Sequence, residues 1–375
     1  MEFSQLWSEL VKGLAAFTWG NGLMIAIGAV LIGLAIIKKY EPVLLLPIGF
    51  GCVLANLPLT GMTDSTGIFG VLYTAGISNE LFPLLIFLGV GAMIDFSPLL
   101  SQPKMVLLGA AGQFGIFGTL VLATMLGFPL NEAASIGVIG AIDGPTAIYV
   151  ASKLAPEMLA PIAVAAYSYM SLVPIIQPPI MKLLTTKEER RIRMEYTPRP
   201  VSRRARIIFP IAITLVTSLL VPDAAPLISM LMLGNLLRES GVVDRLRSAA
   251  ENEIINVTTL FLGLTIGSTM GAEKFLQWDT AAVLGLGLLA FVLDTVAGLL
   301  FGKLMSVLSR RTINPLIGAA GISAFPMAGR LAAQVAQEED YENFILMHAM
   351  GANTAGQLGS VMAGGVLLAL VTGLL

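Results

Sequence analysis

Apolar runs long enough to hide a backbone in lipid recur along almost the whole chain, and they leave little freedom in what it can become. They fall near residues 21–37, 42–58, 81–98, 105–127 and 158–181, then near 207–222, 225–238, 255–271, 279–302 and 343–373. Lipid offers a bare peptide group no hydrogen-bond partner, so such runs fold as helices. About 20 apolar residues cross a hydrocarbon core ~30 Å thick. Only 12% of the 375 residues are charged, about half the share in a soluble domain. The expectation is an all-α polytopic membrane protein of about ten transmembrane helices, multi-pass in the cell inner (cytoplasmic) membrane, with the lipid bilayer as its surroundings. A net charge of −2 with no basic reading element predicts no nucleic-acid partner.

Lysine and arginine set the orientation of such a chain, because basic loops stay in the cytoplasm. Residues 182–206, KLLTTKEERRIRMEYTPRPVSRRAR, are the strongest such loop, with lesser ones at Lys38-Lys39, Arg238 to Arg247 and Lys303 to Arg311. Two further apolar segments, 132–152 and 312–329, are interrupted by Gly and Pro. If 132–152 crossed fully, the basic loop would fall outside. It is therefore read as a re-entrant hairpin from the outer side, and 312–329 as one from the cytoplasmic side. Residues 1–20, with Phe3, Leu6, Trp7, Leu10 and Leu14 on one helical face, read as an interfacial helix.

Short matches relate the two parts of the chain. Pro47 and Asn56-Leu57 correspond to Pro226 and Asn235-Leu236, 179 positions on. Phe87-Leu88-Gly89 recurs at Phe261, and Ile139-Gly140-Ala141 at Ile317, at spacings of 174 and 178. Each half holds five crossings, so the second lies upside down relative to the first. The division expected is a first inverted repeat over 21–181, a basic cytoplasmic linker over 182–206 and a second repeat over 207–375. Broken helices facing each other in such repeats are where secondary transporters bind ions.

One histidine, His348, and one cysteine, Cys52, rule out the usual His and Cys metal sites and histidine triads as main mechanisms. Cys52 reads as a small buried residue and His348 as packing. The chemistry that remains is oxygen chemistry. The first broken segment reads Ile139-Gly-Ala-Ile-Asp143-Gly-Pro-Thr146. An aspartate at that depth is a functional candidate by default, although a helix cap is the competing reading. Thr146 adds a hydroxyl. The second segment offers Asn314, Gly318 and Ser323, with carbonyls released by Pro315 and Pro326, and ends at Arg330. Arg330 either snorkels to the interface or meets a carboxylated group. Asn353 and Gln357 share one face of the last span, and Tyr167 and Tyr169 lie in the 158–181 span. Together these residues point to a hard cation held by oxygens.

The motifs Asp143-Gly-Pro-Thr-Ala-Ile, Asn314-Pro-Leu-Ile-Gly, Ser323 to Arg330, Gly-Ala-Met-x-Asp95-Phe and the tail from His348 to Gly359 resemble the β subunits of the sodium-pumping biotin-dependent decarboxylases (glutaconyl-CoA, methylmalonyl-CoA and oxaloacetate decarboxylases). The resemblance spans most of the chain. It implies a translocase that decarboxylates carboxybiotin, exports the sodium ion and consumes a proton. It implies catalytic roles for Asp143, Arg330 and Tyr169, with Tyr167 two residues away as the alternative. Carboxybiotin would be met by Arg330 and Asn353, and sodium held by Asp143, Thr146, Asn314, Gly318, Ser323 and Asn353. Ile142 stands where the family leads one to expect a smaller residue. Implied partners are a carboxyltransferase subunit, a biotin carrier subunit and a small membrane subunit, with homo-oligomers inside the complex. The chain shows no Ala-Met-Lys-Met-like attachment segment, so carboxybiotin is expected on a separate biotin-carrying subunit. The other reading of the same plan is a sodium/proton antiporter or sodium–solute symporter.

Overall fold

A computed structural model describes residues 11–195 and 200–374, and every regular element among them is helical. The first part of the chain supplies α1 (Trp19–Ile37), α2 (Pro42–Ala55), α3 (Ile68–Ser78) and α4 (Leu81–Met93), the last two meeting at a 60° bend. α5 (Met105–Met125) is interrupted at Gly112 and Gln113. Then come α6 (Leu130–Gly137), α7 (Gly144–Leu154) and α8 (Leu159–Leu184). The second part supplies α9 (Arg203–Leu220), α10 (Ala225–Ser240), α11 (Ile255–Ser268), α12 (Trp278–Leu308), α13 (Leu316–Ala319), α14 (Met327–Glu339) and α15 (Leu346–Leu374).

Among the described residues four helices, α1, α5, α12 and α15, are long and apolar enough to span a membrane, and two bent pairs raise the number to six. One pair is α3 with α4; the other is α8 with the short turn before it, bent by 61° after Met170. Pro174 accounts for that bend, since its ring clashes with the carbonyl four residues back. The remaining expected spans are helical too: α2 has 14 residues, α10 has 16 and α9 has 18, about 21–27 Å of helix, while α11 continues without a break from a π-helical turn over Ala249–Ile254. Apolar side chains such as Ile37, Leu219, Leu220 and Val307 face outward, as a surface bathed in lipid requires. Leu14, Phe17 and Trp19 are exposed near the start; Phe3, Leu6, Trp7 and Leu10 lie outside the described residues.

The two parts of the chain interlock crosswise. α2 packs on α11, and α4 on α10. Gly51 and Gly267 lie at the first crossing, Gly91 and Gly234 at the second; a Cβ on any of them would strike a partner carbonyl. Small residues let membrane helices approach this closely. The amide of Asn56 donates to the Met270 carbonyl (2.8 Å), and that of Asn235 to the Ile94 carbonyl (2.9 Å). α5 crosses α12, while α8 packs on α12 and α15 on α5.

Two broken segments are enclosed by this frame. In the first, Asn131 Nδ2 donates to the Leu154 carbonyl at 2.9 Å. The start of α6 therefore lies beside the end of α7, and the chain leaves where it entered. Ile142 makes the turn, fully buried and with φ of 52°, a left-handed conformation that costs a branched residue about 1–2 kcal/mol. Pro145 sits in the first turn of α7, where its missing N–H is no loss. In the second segment, Asn314 Nδ2 donates to the carbonyls of Arg190 and Ile192, both at 2.9 Å. Asn343 Nδ2 donates to the same two carbonyls, at 2.9 and 3.2 Å. These asparagines bracket α13 and α14, so this segment too returns to its starting end.

Part of the stretch read from sequence as a basic linker, 182–206, is built into that end. Arg190 is 6% exposed, donates to the Thr185 and Lys182 carbonyls, and pairs with Glu339 at 2.5 Å. Guanidinium is the cation best suited to such a fully bonded burial.

Candidate cation site

α15 carries side chains that meet both turns. Asn353, Gly356, Gln357 and Ser360 recur at spacings of three and four residues, so they share one helix face, and all are buried.

Asp143 is 6% exposed at the N-cap position of α7. Its Oδ2 accepts from Thr146 Oγ1 at 2.7 Å, Gln357 Nε2 at 2.9 Å and Ser360 Oγ at 3.2 Å. These partners are neutral. They orient the carboxylate but leave its charge unbalanced, which is costly at membrane depth. A small cation restores neutrality, and the hydroxyl oxygens of Thr146 and Ser360 keep lone pairs to offer it. The ring of Tyr167 lies against Gly144, where a Cβ would collide with it. Its buried hydroxyl has no hydrogen-bond partner among the described residues. Tyr169 turns the other way and donates its hydroxyl proton to the Leu284 carbonyl of α12. Residues two apart on a helix point to nearly opposite sides, so only one of the pair can face Asp143. The geometry puts Tyr167 there.

The second turn is held through its backbone. The carbonyls of Ala319, Gly321 and Ile322 accept the amides of Gln177 (2.7 Å), Gln113 (3.3 Å) and Asn353 (2.7 Å). Peptide groups freed by a break at this depth must be satisfied inside the protein. Ser323 Oγ donates to the Gly356 carbonyl at 3.1 Å, which Gln113 also reaches at 3.3 Å.

Other residues named from the sequence lie elsewhere. Asn314 is at the base of the hairpin, where its Oδ1 accepts the Leu316 N–H at 3.0 Å. Gly318 is packed against Gly298 and Gly302 of α12, with its carbonyl taken by the Gly321 N–H at 3.1 Å. Arg330 is exposed in the first turn of α14. The carboxylates of its own helix, Glu338 and Glu339, pair with Lys182 and Arg190 instead. Gly329 touches Ala349 and Met350 of α15, about 12 Å along that helix from Gln357. Arg330 and Asp143 are thus not neighbours. His348 bonds Gln102 at 2.7 Å, Asp95 accepts the Ser97 N–H at 2.8 Å, and Cys52 is buried against the Met24 carbonyl. Ser360, Gln113 and Gln177 were not singled out from sequence. The available signal was a lone polar residue in an apolar run, seven positions from Asn353 in the case of Ser360.

The family model described as the Na+-transporting oxaloacetate decarboxylase beta subunit matches residues 20–371. The chain belongs to that family. It is 54% identical over 362 residues to the glutaconyl-CoA decarboxylase subunit beta of Acidaminococcus fermentans, covering 96% of both chains. It is 54% identical over 361 residues to the methylmalonyl-CoA decarboxylase subunit beta of Veillonella parvula, again 96% of both. With the oxaloacetate decarboxylase beta chain of Klebsiella pneumoniae it shares 47% over 424 aligned positions, covering 96% of this chain and 98% of that one. A beta subunit of the Na+-transporting decarboxylases is a membrane component of a larger assembly that handles sodium. At one of the broken turns of this chain lies a buried carboxylate bonded to two hydroxyls and one amide nitrogen.

Proposed function

We propose that this chain decarboxylates carboxybiotin and couples the loss of CO2 to sodium export across the cell inner membrane. Carboxybiotin arrives on a biotin carrier subunit charged at a carboxyltransferase subunit. The observation that carries the reading is Asp143, a buried carboxylate bonded only to neutral donors at the turn of a hairpin. A site of this kind binds a cation in one state and accepts a proton in another.

The fold is read as two inverted repeats. The reciprocal bonds Asn56–Met270 and Asn235–Ile94, at motifs spaced by 179 positions, support that reading. Basic residues 182–206, to which the base of the second hairpin is fastened, support a cytoplasmic position for that base. Arg330, exposed and without a carboxylate partner on its own helix, is the group that receives the carboxylate of carboxybiotin there, in the manner of guanidinium–carboxylate recognition. Breaking the N–C bond releases CO2, and the ring nitrogen takes up one proton. Asp143 supplies the route for that proton when sodium has left, with the Tyr167 hydroxyl beside it. The alignments with the two acyl-CoA decarboxylase subunits run over 362 and 361 positions, whereas that with the oxaloacetate chain needs 424. That difference favours a coenzyme A thioester as the upstream substrate.

The test is sodium-22 uptake into inverted vesicles holding the intact complex, with and without avidin. Uptake that requires the decarboxylation substrate and stops with avidin upholds the biotin-driven pump. Uptake driven by a pH gradient alone and indifferent to avidin replaces it with a sodium/proton antiporter.

A further inference from the structure

α14 turns one face to its neighbours and leaves the other bare. Ala328, Gly329, Ala332 and Ala336 are buried, and such small residues let the helix pack on α8, α13 and α15. Arg330 and Gln334 stand on the opposite side and are exposed, with Met327 and Leu331 half-buried beside them. These four recur at spacings of three and four, so they form one stripe. The far end of α14 is pinned at the base of the hairpin by Glu339, which pairs with Arg190. Arg330 lies about 14 Å along the helix from Glu339, and Gln334 about 8 Å. A group that enters along the stripe from the base meets Gln334 before Arg330.

Neither Arg330 nor Gln334 has a hydrogen bond or ion pair from its side chain among the described residues. The glutamines nearer the turns are engaged: Gln113 and Gln177 donate to carbonyls, and Gln357 to Asp143. A guanidinium and an amide are not left bare against hydrocarbon, so this face borders water or a polar ligand. Side chains four apart on a helix have Cβ atoms about 5–6 Å from each other. That spacing suits a small flat molecule with a carboxylate at one end and an amide-like edge at the other. Carboxybiotin has this pattern. Its carboxylate sits on one ureido nitrogen, and the carbonyl oxygen with the other N–H forms the adjoining edge. A primary amide is the complement of that edge, with one N–H to give and one oxygen to accept.

We propose that Gln334 recognises the ureido ring of carboxybiotin through its carboxamide while Arg330 holds the carboxylate. Met327 and Leu331 supply the apolar surface for the sulfur-containing ring. The assignment rests on the carboxybiotin reading above and adds to it the residue that recognises the ring itself. When the N–C bond breaks, its electron pair stays on the ureido group and is shared with the carbonyl oxygen. Gln334 donates to that oxygen until a proton reaches the nitrogen, so its bond strengthens as charge develops.

The experiment uses the full chain, purified in detergent with the membrane subunits that accompany it. It is titrated with the biotin carrier subunit in three forms: without biotin, biotinylated and carboxylated. Binding is read for the first two forms and KM for the third. Gln334→Met keeps the length of the side chain and loses both hydrogen bonds, and sodium-22 binding at the wild-type level confirms its fold. It is expected to bind the biotinylated carrier about tenfold more weakly and to raise KM for the carboxylated one by at least as much. It is expected to bind the biotin-free carrier as wild type does. Arg330→Ala is expected to weaken the carboxylated form alone, since only that form carries the carboxylate. An equal loss with the biotin-free carrier, or no loss with either biotin-bearing form, overturns the role of Gln334 whatever Arg330→Ala does. A wild-type chain that gains no affinity from biotin on the carrier overturns the carboxybiotin reading, and this inference with it.

Discussion

The two broken hairpins solve the same backbone problem with different materials. At the first, Asp143 brings a charge to the turn, and Thr146, Gln357 and Ser360 are spent on that one carboxylate. At the second there is no charge at the turn. Gln177, Gln113 and Asn353 are spent instead on the bare carbonyls of Ala319, Gly321 and Ile322. Its charged residue, Arg330, stands apart in the first turn of α14 and is exposed. One turn gathers its polar side chains on a carboxylate, and the other gathers them on its own backbone. A hairpin at membrane depth is therefore not a functional site merely by being broken; the side chains bonded to its turn decide.

The largest effect expected from breaking this contrast is at Asp143. Asp143→Asn keeps the shape but removes the charge, and sodium-dependent turnover should fall by about a hundredfold or more, equal to ~2.7 kcal/mol in the barrier. Vesicle uptake of sodium-22 checks it, with the elution profile of the complex as the control for folding. Next comes Gly318→Val, at the crossing with Gly298 and Gly302. The added methyls strike backbone, so stability should drop by about 3 kcal/mol, seen as a lower thermal midpoint in detergent. Arg330→Ala should leave sodium binding as it was and raise KM for the carboxylated carrier about tenfold, ~1.4 kcal/mol. If Arg330→Ala weakened sodium binding as Asp143→Asn does, the division between the turns would collapse.

The tyrosines sharpen the comparison further. Tyr169→Phe loses its bond to the Leu284 carbonyl and should cost about 1 kcal/mol of stability. Tyr167→Phe has no such bond to lose, so its stability should stay near wild type while the sodium dependence of turnover shifts. The smallest effect is one of pH, at the base of the second hairpin. The Arg190 guanidinium, hydrogen-bonded to Glu339, holds that carboxyl below its ordinary 4.5. A lowered folded value stabilises above the unfolded one and is lost as pH falls through it. The thermal midpoint should thus decline slightly faster below pH ~4.5 in wild type than in Arg190→Gln.

The sequence made both broken segments legible because Gly and Pro are conspicuous inside apolar runs, and an aspartate there announces itself. It could not separate Tyr167 from Tyr169, because facing depends on how α8 is rotated, and neighbours set that rotation. It grouped Asn314 with the turns because a polar residue beside proline at the edge of a broken segment looks like a ligand. In the structure it fastens the hairpin to the Arg190 and Ile192 carbonyls, a partner more than a hundred residues away in the chain. Asp294, a carboxylate buried within α12 against the Gly115 N–H, escaped notice for the opposite reason. Its run, 279–302, reads as an unbroken span, and only the approach of Gly115 and Gly140 shows that its middle is a junction.

The shared face of α15 has a consequence for how the two turns answer each other. Asn353 and Gly356 serve one turn, and Gln357 and Ser360 the other, within two helical turns of a single rod. A ligand that moves that rod from either side alters the affinity at both. Such influence is reciprocal: the factor by which sodium at the first turn tightens a ligand at the second equals the factor by which that ligand tightens sodium. Direction of transport then cannot come from one turn commanding the other; it must come from the free energy released when the carboxyl group departs as gas.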